Sequence, residues 1–240
     1  MKIIIDLQGL QIAGNRKRGI GRYSLGLTKA LINLYPEHEY ILFTSSSLLD
    51  LTNDFSDEFN DIKLKVNYFK CPTIGDLNDI YRGRFSSLWS SIQLRSYALS
   101  IIKADIILIT SFFEGFRNNS LIDYDKSFKL PPVVSILYDL IPLINSDQYL
   151  NIDPEYKLFY LDQIDKLSNL DGLLAISESS CSEASKYLKF NNEYIFNISA
   201  ACDDNKFSIY SLNKNLPQNN LGRFLLYCGA TDPRKNLYRL

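Results

Sequence analysis

Residues 2–35 read KIIIDLQGLQIAGNRKRGIGRYSLGLTKALINLY, and this stretch decides the fold. The run KIIID at 2–6 is short and rich in β-branched side chains, which predicts a strand. A glycine-rich segment follows, and from Ile20 to Tyr35 apolar residues recur at helical spacing. The sequence therefore predicts a strand, a glycine-rich loop and a helix in that order.

The alternation of strand and helix continues along the chain. Further helices are predicted at about 78–101, 154–169 and 178–189. The further predicted strands are EYILFT (39–44), LKVNYF (64–69), ADIILIT (104–110), PVVSILY (132–138), GLLAIS (172–177) and EYIFNISA (193–200). Several of these strands are apolar on both faces, which indicates a parallel sheet covered by helices on both sides. The predicted fold class is α/β, a Rossmann-like doubly wound parallel sheet.

Two helix starts carry capping signals. Asp153 and Pro154 have the residue types of an N-cap followed by a first helical position. Ser180 and Glu183 have the spacing of a capping box. Both signals agree with the helices predicted from periodicity.

A change of composition near the end of the chain predicts a domain boundary. The segment SLNKNLPQNNLG at 211–222 is rich in Asn and contains Pro217, which is typical of a linker. The next residues, RFLLYCG at 223–229, predict a new strand. We therefore predict one domain over residues 1–216, and the linker and first strand of a second over 217–240. One strand cannot bury its own face, so the second domain is expected to be incomplete in this chain.

Composition argues against several classes of function. Lys and Arg number 26 against 27 Asp and Glu, so no field of one sign attracts nucleic acid. His38 is the only histidine, which argues against a Ser/His/Asp triad and a His-rich metal site. The four cysteines form no CxxC pair, and the apolar run before Asp6 is too short for a signal peptide. We expect a cytoplasmic protein without a bound metal or cofactor.

The candidate site consists of polar residues that follow the predicted strands. Ligands of an open parallel sheet bind at the carboxyl ends of its strands, where loops diverge and helix N-termini face the crevice. Singly, such residues more often serve as turn or cap residues, but their shared edge favours a functional role. Hydrolysis by paired carboxylates stays open as an alternative. The candidate catalytic residues are Glu114, Tyr138 and Asp139, and the candidate acceptor-side or sugar-side residues are Ser177 and Glu178.

Two stretches predict a site for phosphate groups. In DLQGLQIAGNRKRGIGRY, at 6–23, Gly19, Gly21 and Arg22 stand at a predicted helix start, where free N–H groups favour an anion. In CGATDPRKNL, at 228–237, Arg234 and Lys235 stand at another predicted helix start, where a guanidinium can bind two phosphate oxygens. Neither stretch is a Walker A loop or a GxGxxG fingerprint. A flexible loop with solvated charges is the alternative.

A series of motifs in this order closely resembles glycosyltransferase family 4, in its branch of bacterial O-antigen mannosyltransferases. The motifs are DLQG (6–9), RGIGRYSLGL (18–27), LYDLIPL (137–143), LLAISESS (173–180), ISAACDD (198–204) and FLLYCGATDPRKNLYRL (224–240). They span the whole chain, which makes the resemblance more specific than any single motif.

The resemblance implies the GT-B architecture, two Rossmann-like domains facing each other across a cleft. The N-terminal domain mainly holds the acceptor and the C-terminal domain mainly holds the sugar nucleotide. It also implies a retaining reaction that needs no metal. On this basis the loop from Gly19 to Arg22 would approach the donor phosphates, and Arg234 and Lys235 would neutralise the diphosphate leaving group.

The chain departs from the family's pattern in two places. Many relatives carry a His where this chain has Tyr138, and a phenol cannot take on positive charge near pH 7, which weakens a general-base role there. Asp139 could orient its neighbour or bind a sugar hydroxyl. The family's two donor-binding Glu residues lie deep in the C-terminal domain, beyond Leu240. The 240-residue chain alone is therefore expected to be inactive.

The resemblance predicts the N-terminal half of a glycosyltransferase that transfers a hexose, most simply mannose, from an NDP-sugar to a glycan or lipid-linked glycan acceptor. The expected setting is polysaccharide or lipopolysaccharide synthesis at the cytoplasmic side of the membrane. Peripheral membrane association of the complete enzyme is left open. A non-catalytic Rossmann-like module that binds a glycan or a partner subunit is the alternative, and an unrelated nucleotide-binding domain of the same fold class is a third.

Overall fold

The computed structural model describes residues 1–16, 18–51, 62, 66–77, 85–201, 223, 225–229 and 235–239. The chain divides into two units, Met1–Ala201 and Cys202–Leu240. The predicted boundary between residues 216 and 217 lies outside the described residues and stays a prediction.

A parallel sheet of seven strands forms the centre of the first unit. Its order is β3-β2-β1-β4-β5-β6-β7, and every neighbouring pair is parallel. The chain thus starts in the middle of the sheet, winds outward to β3, returns beside β1 and winds outward to β7. The prediction of an α/β, Rossmann-like doubly wound sheet is confirmed. The strands are β1 (Lys2–Asp6), β2 (Glu39–Ser45), β3 (Asn67–Cys71), β4 (Ile106–Ile109), β5 (Val133–Leu137), β6 (Gly172–Ala175) and β7 (Ile195–Asn197).

Helices are observed in the four regions where apolar spacing predicts them, but two short helices, Gln8–Gln11 and Ala13–Arg16, lie where a glycine-rich loop is predicted. The predicted helix at about 78–101 is observed from Phe85 onward, and residues 78–84 lie outside the described part of the chain. No helix among the described residues has the length and apolar composition needed to cross a membrane. The helices are α1 (Gln8–Gln11), α2 (Ala13–Arg16), α3 (Gly19–Leu34), α4 (Phe85–Ile102), α5 (Ile141–Ile144), α6 (Ser146–Tyr149), α7 (Pro154–Leu167) and α8 (Glu178–Tyr187).

The two faces of the sheet bury separate cores. Alternation along β1 sends Ile4 to one face and Ile5 to the other. Ile4 packs in a cluster with Leu99 of α4 and Leu167 of α7, whereas the cluster around Ile5 includes Ile32 of α3. This two-sided burial explains why strands such as β4 are apolar throughout.

The capping predictions have different outcomes. The Asp153 carboxylate accepts hydrogen bonds from the amides of Glu155 and Tyr156, so its prediction as the N-cap of α7 is confirmed. The capping box beginning at Ser180 is wrong, because α8 starts one turn earlier with Ser177 as its N-cap. Tertiary contacts use both residues of the supposed box. Ser180 Oγ donates to the Tyr138 carbonyl, and Glu183 accepts from the amide of Leu140.

The second unit contains little regular structure among its described residues. Residues 225–228 form no strand and are exposed, so the strand predicted at 223–229 is wrong for them. A strand is stable only when neighbouring strands complete its hydrogen bonds and cover its face. Leu237–Arg239 forms a short 3-10 helix.

A buried ion pair joins the sheet to α4. Arg95 Nη2 lies 2.8 Å from Asp6 Oδ2, and both side chains are 2% exposed. The Arg95 guanidinium also lies over the Phe43 ring, 5.0 Å from its centroid. Because Asp6 ends the central strand β1, the pair fixes α4 at the carboxyl edge of the sheet.

We expect Asp6→Asn to destabilise the protein by about 3–5 kcal/mol, since it leaves the Arg95 charge buried and uncompensated. Glu39→Gln is the matched control, because the Lys2–Glu39 pair is exposed and is worth about 0–1 kcal/mol. Guanidinium unfolding followed by circular dichroism measures both. Equal small losses for the two variants would contradict this account of the buried pair.

Candidate functional site

The structure brings the polar residues that follow β1, β4, β5 and β6 to one edge of the sheet. Asp6, the last residue of β1, pairs in register with Ile109, the last residue of β4. Likewise Leu137 at the end of β5 pairs with Ala175 at the end of β6. The loops that carry the predicted candidates therefore leave the sheet side by side.

Helix α3 begins at this edge without a cap. Arg18 occupies the N-cap position in an extended conformation, and it makes no side-chain cap hydrogen bond. The first turn contains no acidic residue, and both Arg18 and Arg22 are exposed. The first N–H groups of a helix lack partners within the helix and carry its positive dipole end. This start can therefore accept an anion.

Gly21 allows α2 to pack against the first turn of α3. A Cβ atom at Gly21 would lie 2.5 Å from the carbonyl oxygens of both Asn15 and Arg16. These are backbone atoms, so a side chain at this position would force the two helices apart. Gly19 has open space around the corresponding position. Of the two glycines predicted here, Gly21 is required by packing and Gly19 leaves room at the helix start.

Glu114 is buried beneath this helix start. The side chain is 6% exposed and accepts hydrogen bonds from Ser111 Oγ at 2.6 Å and from Asn15 Nδ2 at 2.8 and 3.0 Å. Burial raises the pKa of the Glu114 carboxyl, and the hydrogen bonds from Ser111 and Asn15 oppose that shift. Gly9 lets the loop approach, since a Cβ there would lie 2.6 Å from Ser111 Cβ.

Tyr138 points its hydroxyl under α3. The oxygen lies 3.1 Å from Ser24 Oγ and donates to the carbonyl of Thr110 at 3.0 Å. Burial raises the pKa of the phenol far above its ordinary value, so Tyr138 is neutral at pH 7. The Tyr23 ring packs edge-on against it, with centroids 5.8 Å apart. Tyr138 thus joins α3 to the loop after β4.

The remaining candidates at the edge are less buried. The Asp139 carboxylate is half-buried and accepts a hydrogen bond from the Ile141 amide at 3.1 Å. Ser177 serves as the N-cap of α8, and its oxygen accepts from the Ser180 amide at 3.1 Å. Glu178 is exposed and accepts from Asn197 Nδ2 at 3.0 Å. Asp139 and Glu178 therefore keep carboxylate surface available for a ligand.

The second predicted phosphate-binding pair belongs to the second unit. Lys235 is exposed, and Arg234 lies outside the described residues. Their predicted contact with a diphosphate stays a prediction.

Sequence reasoning missed the partners that hold the candidates in place. Asn15 and Ser24 bind the side chains of Glu114 and Tyr138, and Arg95 neutralises Asp6. Asn15 lies in the stretch predicted as a glycine-rich loop, where no apolar periodicity indicates a buried contact. Arg95 did give one, because it is the only charged residue in the 18-residue helix α4. A lone charge in an otherwise uncharged helix indicates a buried partner.

Comparison with known proteins finds relatives among mannosyltransferases. The chain is 27% identical over 247 residues to a serotype-specific mannosyltransferase WbdA of Escherichia coli, covering 100% of this chain and 29% of that protein. A second E. coli WbdA is 24% identical over 221 residues, covering 89% of this chain and 27% of the relative. The chain thus spans less than a third of the length of these curated relatives. No protein-family model matches the chain.

A structural neighbour shares the fold. The UDP complex of Arabidopsis thaliana UGT89C1 superposes with a TM-score of 0.52 at 13% sequence identity, covering 84% of this chain and 50% of that one. At this identity the likeness shows a common Rossmann-like fold.

We expect Gly21→Ala to destabilise the protein by about 1–3 kcal/mol, since its methyl group would meet two backbone carbonyls. Gly26→Ala is the matched control in the same helix, with nothing within 4 Å of its Cβ position. There alanine is expected to stabilise the helix by about 0.5–1 kcal/mol. Chemical denaturation measures both, and equal effects would contradict the close packing at Gly21.

Proposed function

We propose that this chain is the N-terminal part of a glycosyltransferase that transfers a hexose, mannose, from an NDP-sugar to a glycan acceptor. The observation that carries the proposal is the uncapped start of α3 at the carboxyl edge of the sheet, with Arg18 and Arg22 beside it. An uncapped helix start binds a phosphate through its N–H groups and its dipole. Relatives named mannosyltransferase support the choice of reaction, and the UDP held by the structural neighbour supports a nucleotide donor.

The polar residues at the edge divide into two groups in this proposal. The amides from Gly19 to Gly21 and the Arg22 guanidinium bind the donor diphosphate and stabilise the charge that builds on it as the glycosidic bond breaks. Asp139 and Glu178, which keep exposed carboxylate surface, accept hydrogen bonds from sugar hydroxyls. The diphosphate-binding role of Arg234 and Lys235 is proposed from the family resemblance alone.

The finer features of the proposal come from the family resemblance. They are a GT-B arrangement, retention of anomeric configuration and transfer without a bound metal or cofactor. The acceptor is a glycan or lipid-linked glycan of polysaccharide or lipopolysaccharide synthesis, used at the cytoplasmic face of the membrane. The relatives are more than three times as long as this chain, so we propose that transfer also needs residues beyond those described.

The proposal is tested by titrating the protein with GDP-mannose and UDP-glucose in a calorimeter, and by assaying mannosyl transfer to oligosaccharide acceptors. We expect Arg22→Ala to weaken donor binding by about tenfold to a hundredfold, the effect of losing one charge-assisted hydrogen bond. Lys186→Ala is the control. Lys186 is an exposed cation in the last turn of α8, whereas the candidate residues Ser177 and Glu178 lie at the start of that helix.

Unchanged affinity in Arg22→Ala would contradict the assignment of the diphosphate to α3. If the protein binds a glycan but neither binds nor consumes a nucleotide sugar, the result supports the alternative of a non-catalytic glycan-binding module.

A further inference from the structure

Both carboxylate oxygens of Glu114 accept hydrogen bonds from inside the protein. Asn15 Nδ2 lies within 3.0 Å of both carboxylate oxygens, and Ser111 Oγ lies 2.6 Å from one of them. Asn15 is 99 residues away in sequence, so the contact is tertiary. With 6% of the side chain exposed, little of the carboxylate can reach a ligand in the crevice.

Asn15 in turn controls the start of α3. Its carbonyl oxygen accepts a hydrogen bond from the Arg18 amide at 2.9 Å. The same oxygen lies 2.5 Å from the Cβ position of Gly21, within the first turn of α3. A shift of Asn15 would therefore move both the N-cap residue and the first turn.

A second contact ties α3 to the same loop. Tyr138 lies between Ser24 of α3 and the Thr110 carbonyl, with its oxygen 3.1 and 3.0 Å from them. Thr110 and Glu114 both lie near the start of the connection after β4. That part of the chain therefore contacts α2 through Asn15 and contacts α3 through Tyr138 and Ser24.

We infer that Glu114 is a positioning residue, which through Asn15 and Gly21 holds the uncapped start of α3 at the sheet edge in the geometry that receives the donor diphosphate. The inference rests on the proposed function for the ligand, and on contacts within the chain for the positioning. It changes the role of Glu114 from a group that contacts substrate to one that acts through the helix start.

Exchanging the two side chains tests the inference. Asn15→Asp alone puts two carboxyl groups in contact in a buried site, whereas Glu114→Gln alone leaves two amides that can still bond. The double variant Asn15→Asp, Glu114→Gln restores one amide and one carboxylate with their positions exchanged. Asp147→Asn is the control, because Asp147 of α6 forms an exposed carboxylate–amide pair with Asn151.

We expect Asn15→Asp to raise the KM for the nucleotide sugar at least tenfold with a smaller change in kcat, and the double variant to return within about threefold of the parent protein. A catalytic carboxylate predicts the opposite pattern. Glu114→Gln would then lower kcat about a hundredfold or more, and the exchange would not restore it. That pattern would overturn the inference.

Hydrogen exchange separates this inference from the proposed function. The amides of Arg18 and Arg22, which donate to the carbonyls of Asn15 and Arg18, are expected to exchange at least tenfold faster in Asn15→Asp and to regain protection in the double variant. Unchanged exchange in Asn15→Asp would overturn the positioning role, whatever the activity. If the parent protein uses no nucleotide sugar, the proposed function fails and the exchange data still decide the role of Glu114. If Asn15→Asp does not fold, the double variant decides the role of Glu114. Folding with protected amides supports the positioning role, and failure to fold or loss of protection overturns it.

Discussion

The buried ion pair between Asp6 and Arg95 is the constraint on which the candidate site depends. Asp6 ends the central strand, and its carboxylate accepts from the Gln8 amide at 3.0 Å and from Gln8 Nε2 at 3.1 Å as well as binding Arg95. Gln8 then exchanges two hydrogen bonds with the backbone of Leu121, in the long connection after β4. The Asp6 carboxylate thus links the sheet to α4 and, through Gln8, to the connection after β4. Losing either member of the pair would leave the other charge buried and uncompensated, which ties the position of α4 to that of Asp6.

At the carboxyl edge of the sheet, some polar side chains are buried and hold the loops together, whereas others face solvent. Glu114 and Tyr138 are directed inward and bind Asn15 and Ser24. Arg22 and Glu178 face solvent. Helices α7 and α8 begin with the side-chain caps Asp153 and Ser177, whereas α3 begins with none. The start of α3 is supported by its packing against α2 at Gly21, and no side-chain cap covers it. A rigid support under an open anion site is what preorganised electrostatic stabilisation requires.

The sequence predicted the parts of the fold that local pattern controls. Apolar runs located the strands from β1 to β7, and apolar spacing located α3, α7 and α8. Asp153 was recognised as a cap because its bonds are local, to residues two and three positions later. The box at Ser180 failed because Ser180 and Glu183 bind Tyr138 and Leu140, more than 40 residues away. Spacing alone cannot show which of two nearby serines starts a helix when the fold uses one of them elsewhere.

The candidate site was predicted in position more than in detail. Parallel topology alone places Glu114, Tyr138 and Ser177 at one edge, since all follow strands at their carboxyl ends. Which side chains face inward depends on contacts across about a hundred residues, such as Asn15 with Glu114. Such contacts follow from the packing of α2 on α3, which one residue, Gly21, makes possible.

The central claim is that the start of α3 binds the diphosphate of a nucleotide sugar. It is tested most directly by titrating GDP-mannose into the isotope-labelled protein and following its backbone amides by NMR. The account predicts the largest shifts at Gly19, Ile20, Gly21 and Arg22, and similar shifts with GDP alone. Shifts confined to other parts of the chain, or no shifts with either GDP-mannose or GDP, would contradict it.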